Sequence, residues 1–453
     1  MPGELLLMTD DDAEDEDVQD IFSAHGASLI RSMPQIGVHH IAVPPETIEA
    51  VANSLGHNPR IKFVEKNFLA EPVLVPNDPG YASQWHLPRI SAPGAWDISQ
   101  GSSSVSIAVI DSGVDPGHPD LAAKLIPGYN FLGGNTDTHD VYGHGTAVAG
   151  TAAALTDDGI GVAALAWNNT IMPLVVLNSS NIATYADIAS AINYAADHGA
   201  KIINLSLGGT SSSSTLQSAV DYAWSKGAVI VAAAGNNSSS ANFYPASLVH
   251  VMAVAATDGN DNPASFSNFG SWIAVAAPGT AIYTTNNGGG YGTWQGTSFS
   301  TPQVSALAAL IFSRNGALSN QQVVDLIKNN ADDLGAAGFD PYYGYGRINA
   351  YRALAATPAP AAADTTPPTV QLTSAVYDGT RWLTANASAS DSQSGVAKVD
   401  LYIDNILKAT LSAAPWTFKV NVKSLAKRTH NVQAKAYDGT GNSALSNILT
   451  FSK

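Results

Sequence analysis

Cysteine is missing from all 453 residues of the chain. That absence excludes a disulfide scaffold, a zinc–thiolate or iron–sulfur site and a thiol nucleophile. Every glutamate lies within the first 71 residues, so later segments cannot supply the glutamate of an HExxH zinc protease. Apolar runs also stay well short of the roughly 18 residues that a membrane helix needs. We therefore expect no membrane partner.

Basic residues are scarce, with 21 Lys+Arg against 37 Asp+Glu and a net charge of −16. This balance disfavours a nucleic-acid partner, whose phosphates need basic patches. The charge is uneven along the chain. Residues 1–72 hold 13 acids and 4 bases, residues 73–364 hold 19 and 8, and residues 365–453 hold 5 and 9. Three regions of different electrostatic character are indicated.

The first region, residues 1–72, alternates short apolar strands with two helical stretches near 14–25 and 45–55. The β-α-β-β-α-β order predicts a small ferredoxin-like module. Its opening run Leu5-Leu6-Leu7-Met8 is too short, and wrongly flanked by acids, for a signal peptide. A secretion signal is therefore expected to be absent from this sequence or already removed.

The second region, residues 73–356, contains six continuous apolar runs: SVSIAVID, TIMPLVVL, AKIINLSL, AVIVAAAG, HVMAVAAT and WIAVAAP. Runs of this kind are typical of strands buried on both faces of a parallel sheet. Helical segments separate most of them, which predicts an α/β fold with a doubly wound, mostly parallel sheet. Ligands of such sheets bind beyond the carboxyl ends of the strands.

The third region follows a Pro/Ala/Thr-rich linker at residues 357–366, which marks a domain boundary. Residues 367–453 form short, nearly alternating segments separated by turn signals. This pattern predicts a small all-β sandwich of about seven strands.

Three short motifs in the second region carry polar residues suited to catalysis. Asp111 ends a strand in IAVIDSGVDPGHPDL, His144 begins a helix in GHGTAVAGTAAAL, and Ser298 begins another in GTSFSTPQVSALAALIF. Each motif alone is weak, because DSG is often a turn and GTS is a common helix cap. Together they form one unit: a hydroxyl nucleophile needs a base, and the base needs a carboxylate to orient it.

The order Asp, His, Ser and several further stretches extend the pattern. These further motifs follow one another along the chain as NDPGYASQW, NLSLGGT, YAWSKGAVIVAAAGNN, FSNFGSWIAVAAPG and YGYGRINAYRAL. Over residues 76–354 the sequence resembles the subtilisin-like serine proteases, in particular their thermitase-like members. The resemblance implies peptide hydrolysis by acyl transfer, in which Ser298 attacks, His144 moves the proton and Asp111 orients His144.

The resemblance also implies where substrate binds. Asn236 would donate its side-chain amide to the oxyanion, together with the backbone N–H of Ser298. Protein or peptide substrate would lie as an added strand between walls formed by Leu177, Asn178, Leu207, Gly208 and Gly209, with Ala233 and Gly235 lining the specificity pocket. Small uncharged walls suit bulky apolar groups, so broad specificity with that preference is expected.

Calcium is the cofactor that the resemblance implies, in place of disulfides. The matching ligands are the carboxylates of Asp78, Asp120 and Asp158 and the carbonyls of Leu155, Ile160 and Val162. Three hard carboxylates with carbonyls suit Ca²⁺. A second family site would use Asn130, Gly133, Asn135, Asp137 and His139. Only Asp137 of these has a carboxylate, so we expect that site to be weak or absent.

The flanking regions resemble accessory modules of secreted family members. Residues 1–72 look like an inhibitory propeptide that acts as an intramolecular partner until autocatalytic cleavage within residues 69–76. Residues 367–453 resemble bacterial immunoglobulin-like modules. We expect them either to hold insoluble substrate or a cell surface, or to act as a spacer or stabiliser.

The leading hypothesis is therefore a secreted, monomeric, calcium-stabilised serine endopeptidase. An intracellular subtilisin is one alternative, against which the foldable N-terminal region and the appended sandwich argue. An adhesive protein with a vestigial protease domain is another. The intact set of Asp111, His144, Asn236 and Ser298 opposes it.

Overall fold

The computed structural model describes residues 3–10, 15–68, 74–360 and 364–453. It divides into two compact units, residues 1–314 with 318–357 and residues 315–317 with 358–453. Residues 69–73 of the expected cleavage segment and 361–363 of the predicted linker lie outside the description. Among the described residues, no helix has the length and apolarity to cross a bilayer.

The N-terminal region of the first unit forms a four-stranded antiparallel sheet in the order β2-β3-β1-β4. Its elements are β1 (Glu4–Thr9), α1 (Asp15–Ala24), β2 (Ser28–Met33), β3 (Val38–Ala42), α2 (Ile48–Gly56) and β4 (Ile61–Lys66). Leu5 and Leu7 alternate inward along β1 and pack with Ile41 and Leu55 in one core. The predicted ferredoxin-like order of elements is confirmed.

The main sheet of the first unit has seven strands in the order β11-β10-β9-β8-β5-β7-β6, and every paired neighbour is parallel. The strands are β5 (Ser106–Asp111), β6 (Tyr129–Asn130), β7 (Thr170–Val175), β8 (Ile202–Leu205), β9 (Val229–Ala233), β10 (Val251–Thr257) and β11 (Val275–Pro278). The predicted doubly wound sheet is thus confirmed, as a sheet that is parallel throughout.

Helices cover both faces of this sheet, which explains the continuous apolar runs. They are α3 (His86–Arg89), α4 (Ala92–Trp96), α5 (His144–Ala153), α6 (Tyr185–Asp197), α7 (Ser214–Ser225), α8 (Thr297–Arg314), α9 (Asn320–Asn329) and α10 (Ala350–Ala356), with a hairpin of β12 (Ile282–Asn286) and β13 (Gly290–Trp294). Ile107 and Val109 of β5 join the core with α5 and α8, whereas Ala108 and Ile110 join the core with α6 and α7.

Strand β5 pairs with β7 on one side and with β8 on the other. The strand order changes direction here, so a crevice is expected beyond the carboxyl end of β5. Asp111 is the last residue of this strand. The fold therefore places Asp111 at the edge where ligands of such sheets bind.

The second unit is a β-sandwich built on the core of Leu383, Leu401, Phe418 and Val432. One sheet has the order β14-β15-β18 and the other β17-β16-β19-β20, with β21 also paired to β19. The strands are β14 (Thr369–Tyr377), β15 (Trp382–Ser390), β16 (Val396–Ile403), β17 (Ile406–Leu411), β18 (Thr417–Asn421), β19 (Thr429–Asp438), β20 (Ser443–Leu445) and β21 (Leu449–Ser452). The described residues thus form eight strands where about seven were predicted, because β20 is too short to show alternation.

Candidate active site

Asp111 and His144 meet at the carboxyl end of β5. Asp111 is fully buried, and its Oδ1 accepts the backbone N–H of Ser112 at 2.7 Å. Nδ1 of His144 lies 2.8 Å from Oδ1 and 3.0 Å from Oδ2 of Asp111. The carboxylate of Asp111 accepts a hydrogen bond from His144 when Nδ1 carries the proton. Nε2 of His144 can then accept a proton.

The surroundings of His144 favour its charged form. Burial lowers the pKa of the ring, but the charge and hydrogen bond of Asp111, with the charge of Asp140, outweigh it and raise the pKa above its usual value. The rings of Trp294 and Phe299 pack edge-on, with centroids 6.4 and 5.6 Å from that of His144. The imidazolium that forms when His144 takes a proton is therefore stabilised.

Ser298 lies in the first turn of α8, and it shares with His144 a cavity of about 330 Å³. Its hydroxyl donates to the carbonyl of Ser206 at 3.1 Å in this structure. Pro302 has no N–H to give to the Ser298 carbonyl four residues earlier, and the hydroxyl of Ser206 donates to that carbonyl instead, at 2.8 Å. The backbone of Ser298 is thereby fixed while its side chain remains able to turn toward His144.

The Asn236 side chain is oriented by the residue that precedes Ser298. Its Oδ1 accepts the backbone N–H and the hydroxyl of Thr297 at 2.9 and 3.0 Å. Gly235, before it, has φ +97°, and a Cβ there would lie 2.5 Å from the amide of Asn268. Its oxygen is engaged, and within the described part of the chain Nδ2 of Asn236 has no acceptor, so it remains available as a donor near the start of α8.

Only some of the residues predicted to form the substrate walls line this cavity. Leu177, Leu207 and Gly208 line it, and Asn178 shapes one wall by accepting the N–H groups of Ser180 and Ile182. A Cβ at Gly208 would lie 2.4 Å from the ring of Phe243, so this wall needs glycine.

Other predicted substrate residues lie deeper or are engaged elsewhere. Both backbone groups of Gly209 pair with Tyr244, at 2.8 and 2.7 Å, so they are not open to substrate here. Ala233 is 3% exposed at the end of β9.

Sequence reasoning missed several residues that line the cavity. They are Ile182, Ala183, Tyr185, Ile188 and Ser206. Tyr185 and Ile188 are three residues apart on α6, so they share one helix face, and this spacing could have identified them. The hydroxyl of Tyr185 donates to the carbonyl of Ser211 at 2.9 Å. No comparable sequence pattern identifies Ser206.

Two of the three carboxylates predicted to bind calcium are buried close to each other. Asp78 is 4% exposed and Asp120 is fully buried; burial raises the pKa of both, and the charge of Asp158 adds to this. Oδ1 of Asp78 is buried, and none of the residues that the structure describes donates a hydrogen bond to it. A buried carboxylate oxygen with no donor fits a hard cation. Asp158 itself is exposed and accepts the N–H of Ile160 at 2.9 Å.

The second predicted calcium loop satisfies its own polar groups. Oδ1 of Asn130 accepts the N–H groups of Leu132 and Gly133, and its Nδ2 donates to the carbonyl of Asp137. The carboxylate of Asp137 accepts Nδ1 of His139 at 2.7 Å. The side chains of Asn130, Asp137 and His139, which would bind the ion, are therefore engaged in hydrogen bonds within the loop.

Models of three families match successive parts of the chain. The Subtilase family matches residues 102–346, the Fervidolysin N-terminal prodomain matches residues 1–67 and the Bacterial Ig domain matches residues 365–434. The N-terminal and C-terminal modules expected from the sequence are thus recognised independently of the catalytic region.

Individual relatives agree with these matches. The chain is 41% identical to the thermophilic serine proteinase of Bacillus sp. (strain AK1), over 78% of this chain and 87% of the relative. It is 46% identical to thermitase of Thermoactinomyces vulgaris, over 62% of this chain and 99% of the relative. A solved protease structure from Pseudoalteromonas arctica PAMC 21717 matches with a TM-score of 0.59 at 34% identity, covering 63% of this chain and all of that one.

Proposed function

Because the chain belongs to the subtilase family of serine proteases, we propose that Ser298 is its nucleophile, His144 its base and Asp111 the group that orients the base. The observation that carries this proposal is the 2.8 Å hydrogen bond from His144 to Asp111 beside a cavity that Ser298 also lines. The three residues come from distant segments, and the sheet edge brings them together.

The reaction follows from this geometry. The hydroxyl of Ser298 turns from the Ser206 carbonyl to Nε2 of His144, gives up its proton and attacks a peptide carbonyl. The backbone N–H of Ser298, in the first helical turn, has no intrahelical acceptor, and with Nδ2 of Asn236 it donates to the tetrahedral oxygen. His144 then protonates the leaving amine, and water hydrolyses the acyl-enzyme.

Substrate is proposed to bind as an extended strand between Leu177–Asn178 and Leu207–Gly208, with broad specificity and a preference for bulky apolar residues before the cut. The side chains around the described cavity include no carboxylate and no amine. Uncharged walls of this kind select by size and apolar contact. The small residues Ala233 and Gly235, both buried in this structure, are proposed to border the pocket for the residue before the cut.

Calcium is proposed to bind Asp78 and Asp120, completed by Asp158 and the carbonyls of Leu155, Ile160 and Val162. The unpartnered buried oxygen of Asp78 supports this assignment. Bound Ca²⁺ would neutralise the carboxylates and stabilise the folded unit by mass action.

The remaining parts of the proposal concern maturation and location. Residues 1–72 are proposed to be an inhibitory prodomain that the enzyme removes itself by cleavage within 69–76, supported by the prodomain match. The enzyme is proposed to be secreted and monomeric, with residues 73–356 as its catalytic domain. Residues 367–453, after the linker at 357–366, are proposed to hold insoluble substrate or a cell surface.

Replacing Ser298 by Ala tests the nucleophile directly. Hydrolysis of fluorogenic peptides should fall by about 10⁴-fold or more, and the variant should stay full length because it cannot process itself. Ser218→Ala, which removes an exposed hydroxyl from α7, should process and turn over normally. Near-wild-type turnover by Ser298→Ala would refute the proposal.

A further inference from the structure

A second carboxylate lies beside the first two triad residues, in the loop before α5. Asp140 is 9% exposed, and its carboxylate accepts five hydrogen bonds. Its Oδ1 accepts the hydroxyl of Ser112 at 2.7 Å and the N–H groups of Tyr142 and Gly143 at 3.0 and 2.7 Å. Its Oδ2 accepts the N–H and hydroxyl of Thr146 at 2.8 and 2.6 Å.

These bonds replace a missing helix cap. The residue before α5 is Gly143, which has no side chain to accept the free N–H groups of the first turn. Asp140 accepts the N–H of Thr146, and the hydroxyl of Ser112 accepts the N–H of Gly145 at 3.0 Å. The start of the helix that bears His144 is therefore held by Asp140 and its partner Ser112.

Ser112 connects the same network to the other triad segment. It directly follows Asp111, so the bond from its hydroxyl to Asp140 joins the end of β5 to the start of α5. The loop between β12 and β13 fixes the network from a third side, because Nδ2 of Asn287 donates to the carbonyl of Asp140 at 2.9 Å. The relative placement of Asp111 and His144 depends on this junction.

We propose that Asp140 is a positioning residue that, through Ser112 and Thr146, aligns the backbone segments of Asp111 and His144 for proton transfer. The proposal rests on the proposed triad. It assigns Asp140 no contact with substrate, so loss of the residue should lower kcat much more than it raises KM.

The charge of Asp140 provides a readout that a purely structural residue would lack. The groups facing His144 are the carboxylates of Asp111 and Asp140 and the uncharged rings of Trp294 and Phe299. Activity requires neutral His144 and therefore rises as pH rises through its pKa. Since both carboxylates raise that pKa, removing one should move the acid limb of the pH profile to lower pH.

Asp140→Asn is the central variant, and Asp340→Asn is its matched control. Asp340 is also buried and accepts the N–H groups two and three residues ahead, Tyr342 and Tyr343. In processed enzyme, Asp140→Asn should lower kcat by about tenfold or more and shift the acid-limb midpoint of kcat/KM down by about half a pH unit. Asp340→Asn should leave both unchanged.

NMR titration of the His144 ring supplies a measurement independent of turnover. In the Ser298→Ala background, adding Asp140→Asn should lower the His144 midpoint in the same direction. Persistence of activity in Ser298→Ala would refute the triad, whereas an unshifted midpoint would refute the part assigned to Asp140.

Ser112→Ala keeps the charge but removes the connection, so it keeps the proposal testable if Asp140→Asn does not fold. It should lower kcat without moving the pH midpoint. Wild-type kcat in Ser112→Ala, or a Tm loss in Asp140→Asn with unchanged kcat and midpoint, would overturn the proposal.

Discussion

Aspartates have different surroundings in the two compact units. In the β-sandwich, Asp378 accepts three backbone N–H groups of the turn that follows it, from Thr380, Arg381 and Trp382, and Asp391 does the same within its own turn. In the first unit, Asp111 is committed to His144, and Asp78 keeps a buried oxygen without a donor. These two carboxylates of the sandwich close turns, whereas Asp111 and the Oδ1 atom of Asp78 in the first unit are not used in this way.

The pKa values follow this division. Backbone donors, Arg381 first, lower the pKa of Asp378 to about 2. Burial raises the pKa of Asp78 and Asp120. Burying a carboxylate oxygen without a donor is costly, so Oδ1 of Asp78, to which no described residue donates, indicates a missing partner or a chemical function.

The largest effect expected from this comparison is at the oxyanion. Asn236→Ala should reduce kcat by about 10²–10³-fold with little change in KM, because its Nδ2 donates only once the tetrahedral oxygen forms. Asn386→Ala, in the sandwich, removes an amide that donates to Ser374 at 2.8 Å and should leave kcat unchanged. Steady-state kinetics on one peptide would decide, and equal effects would remove the distinction between the units.

Calcium removal should be next in size. A chelator should lower the Tm of the first unit by about 5 °C or more, and Asp120→Asn should abolish most of this response because it removes a buried ligand. Asp137→Asn changes the loop of residues 130–139, whose polar groups hydrogen-bond to one another. Its Tm should fall with the chelator as much as that of the wild type. Calorimetry with and without chelator, on the Ser298→Ala protein to prevent self-digestion, would measure both.

If the chelator leaves the Tm unchanged, the buried oxygen of Asp78 needs another explanation. If Asp137→Asn also loses the response, the loop of Asn130–His139 binds the ion after all.

The stability of the two units should also depend differently on pH in acid. A lowered pKa gives stability that is present above the unfolded pKa of 3.8 and is lost as pH falls through about 2. Asp378→Asn should therefore weaken the sandwich at neutral pH and flatten its stability between these two values. Thermal unfolding of the second unit, followed over this pH range, would show it, and an unaltered pH dependence would contradict the assignment.

The smallest effect should come from removing the sandwich. Deleting residues 358–453 should leave kcat/KM for soluble peptides unchanged within about twofold, since the proposed triad and the cavity lie in the first unit. Hydrolysis of insoluble protein should fall if this unit holds substrate. A comparison of both substrates with the full-length enzyme would distinguish a binding module from a spacer.

Sequence alone predicted the main sheet because its apolar runs are long and bounded by turns. It missed β20, where three residues carry no alternation. Asp111, His144 and Ser298 could be located because each ends a strand or lies at the start of a helix within a distinctive motif.

Other parts of the site depend on contacts between distant segments. Ser206 contacts Ser298 across 92 residues, and Asp140 looks in the sequence like any loop acid. Asp78 and Asp120 could be identified from the sequence only through the resemblance to the family. Their burial, and the missing donor at Asp78, are properties of packing.

The most direct test of the central claim is covalent labelling of the processed enzyme with a fluorophosphonate, followed by peptide mapping in a mass spectrometer. An activated serine hydroxyl attacks phosphorus, displaces fluoride and keeps the phosphonyl group. We predict one adduct per molecule, on Ser298, with loss of activity in proportion to labelling, and no adduct in Ser298→Ala. Full activity without labelling, or stoichiometric labelling at another residue that abolishes activity, would contradict the assignment of Ser298 as the nucleophile.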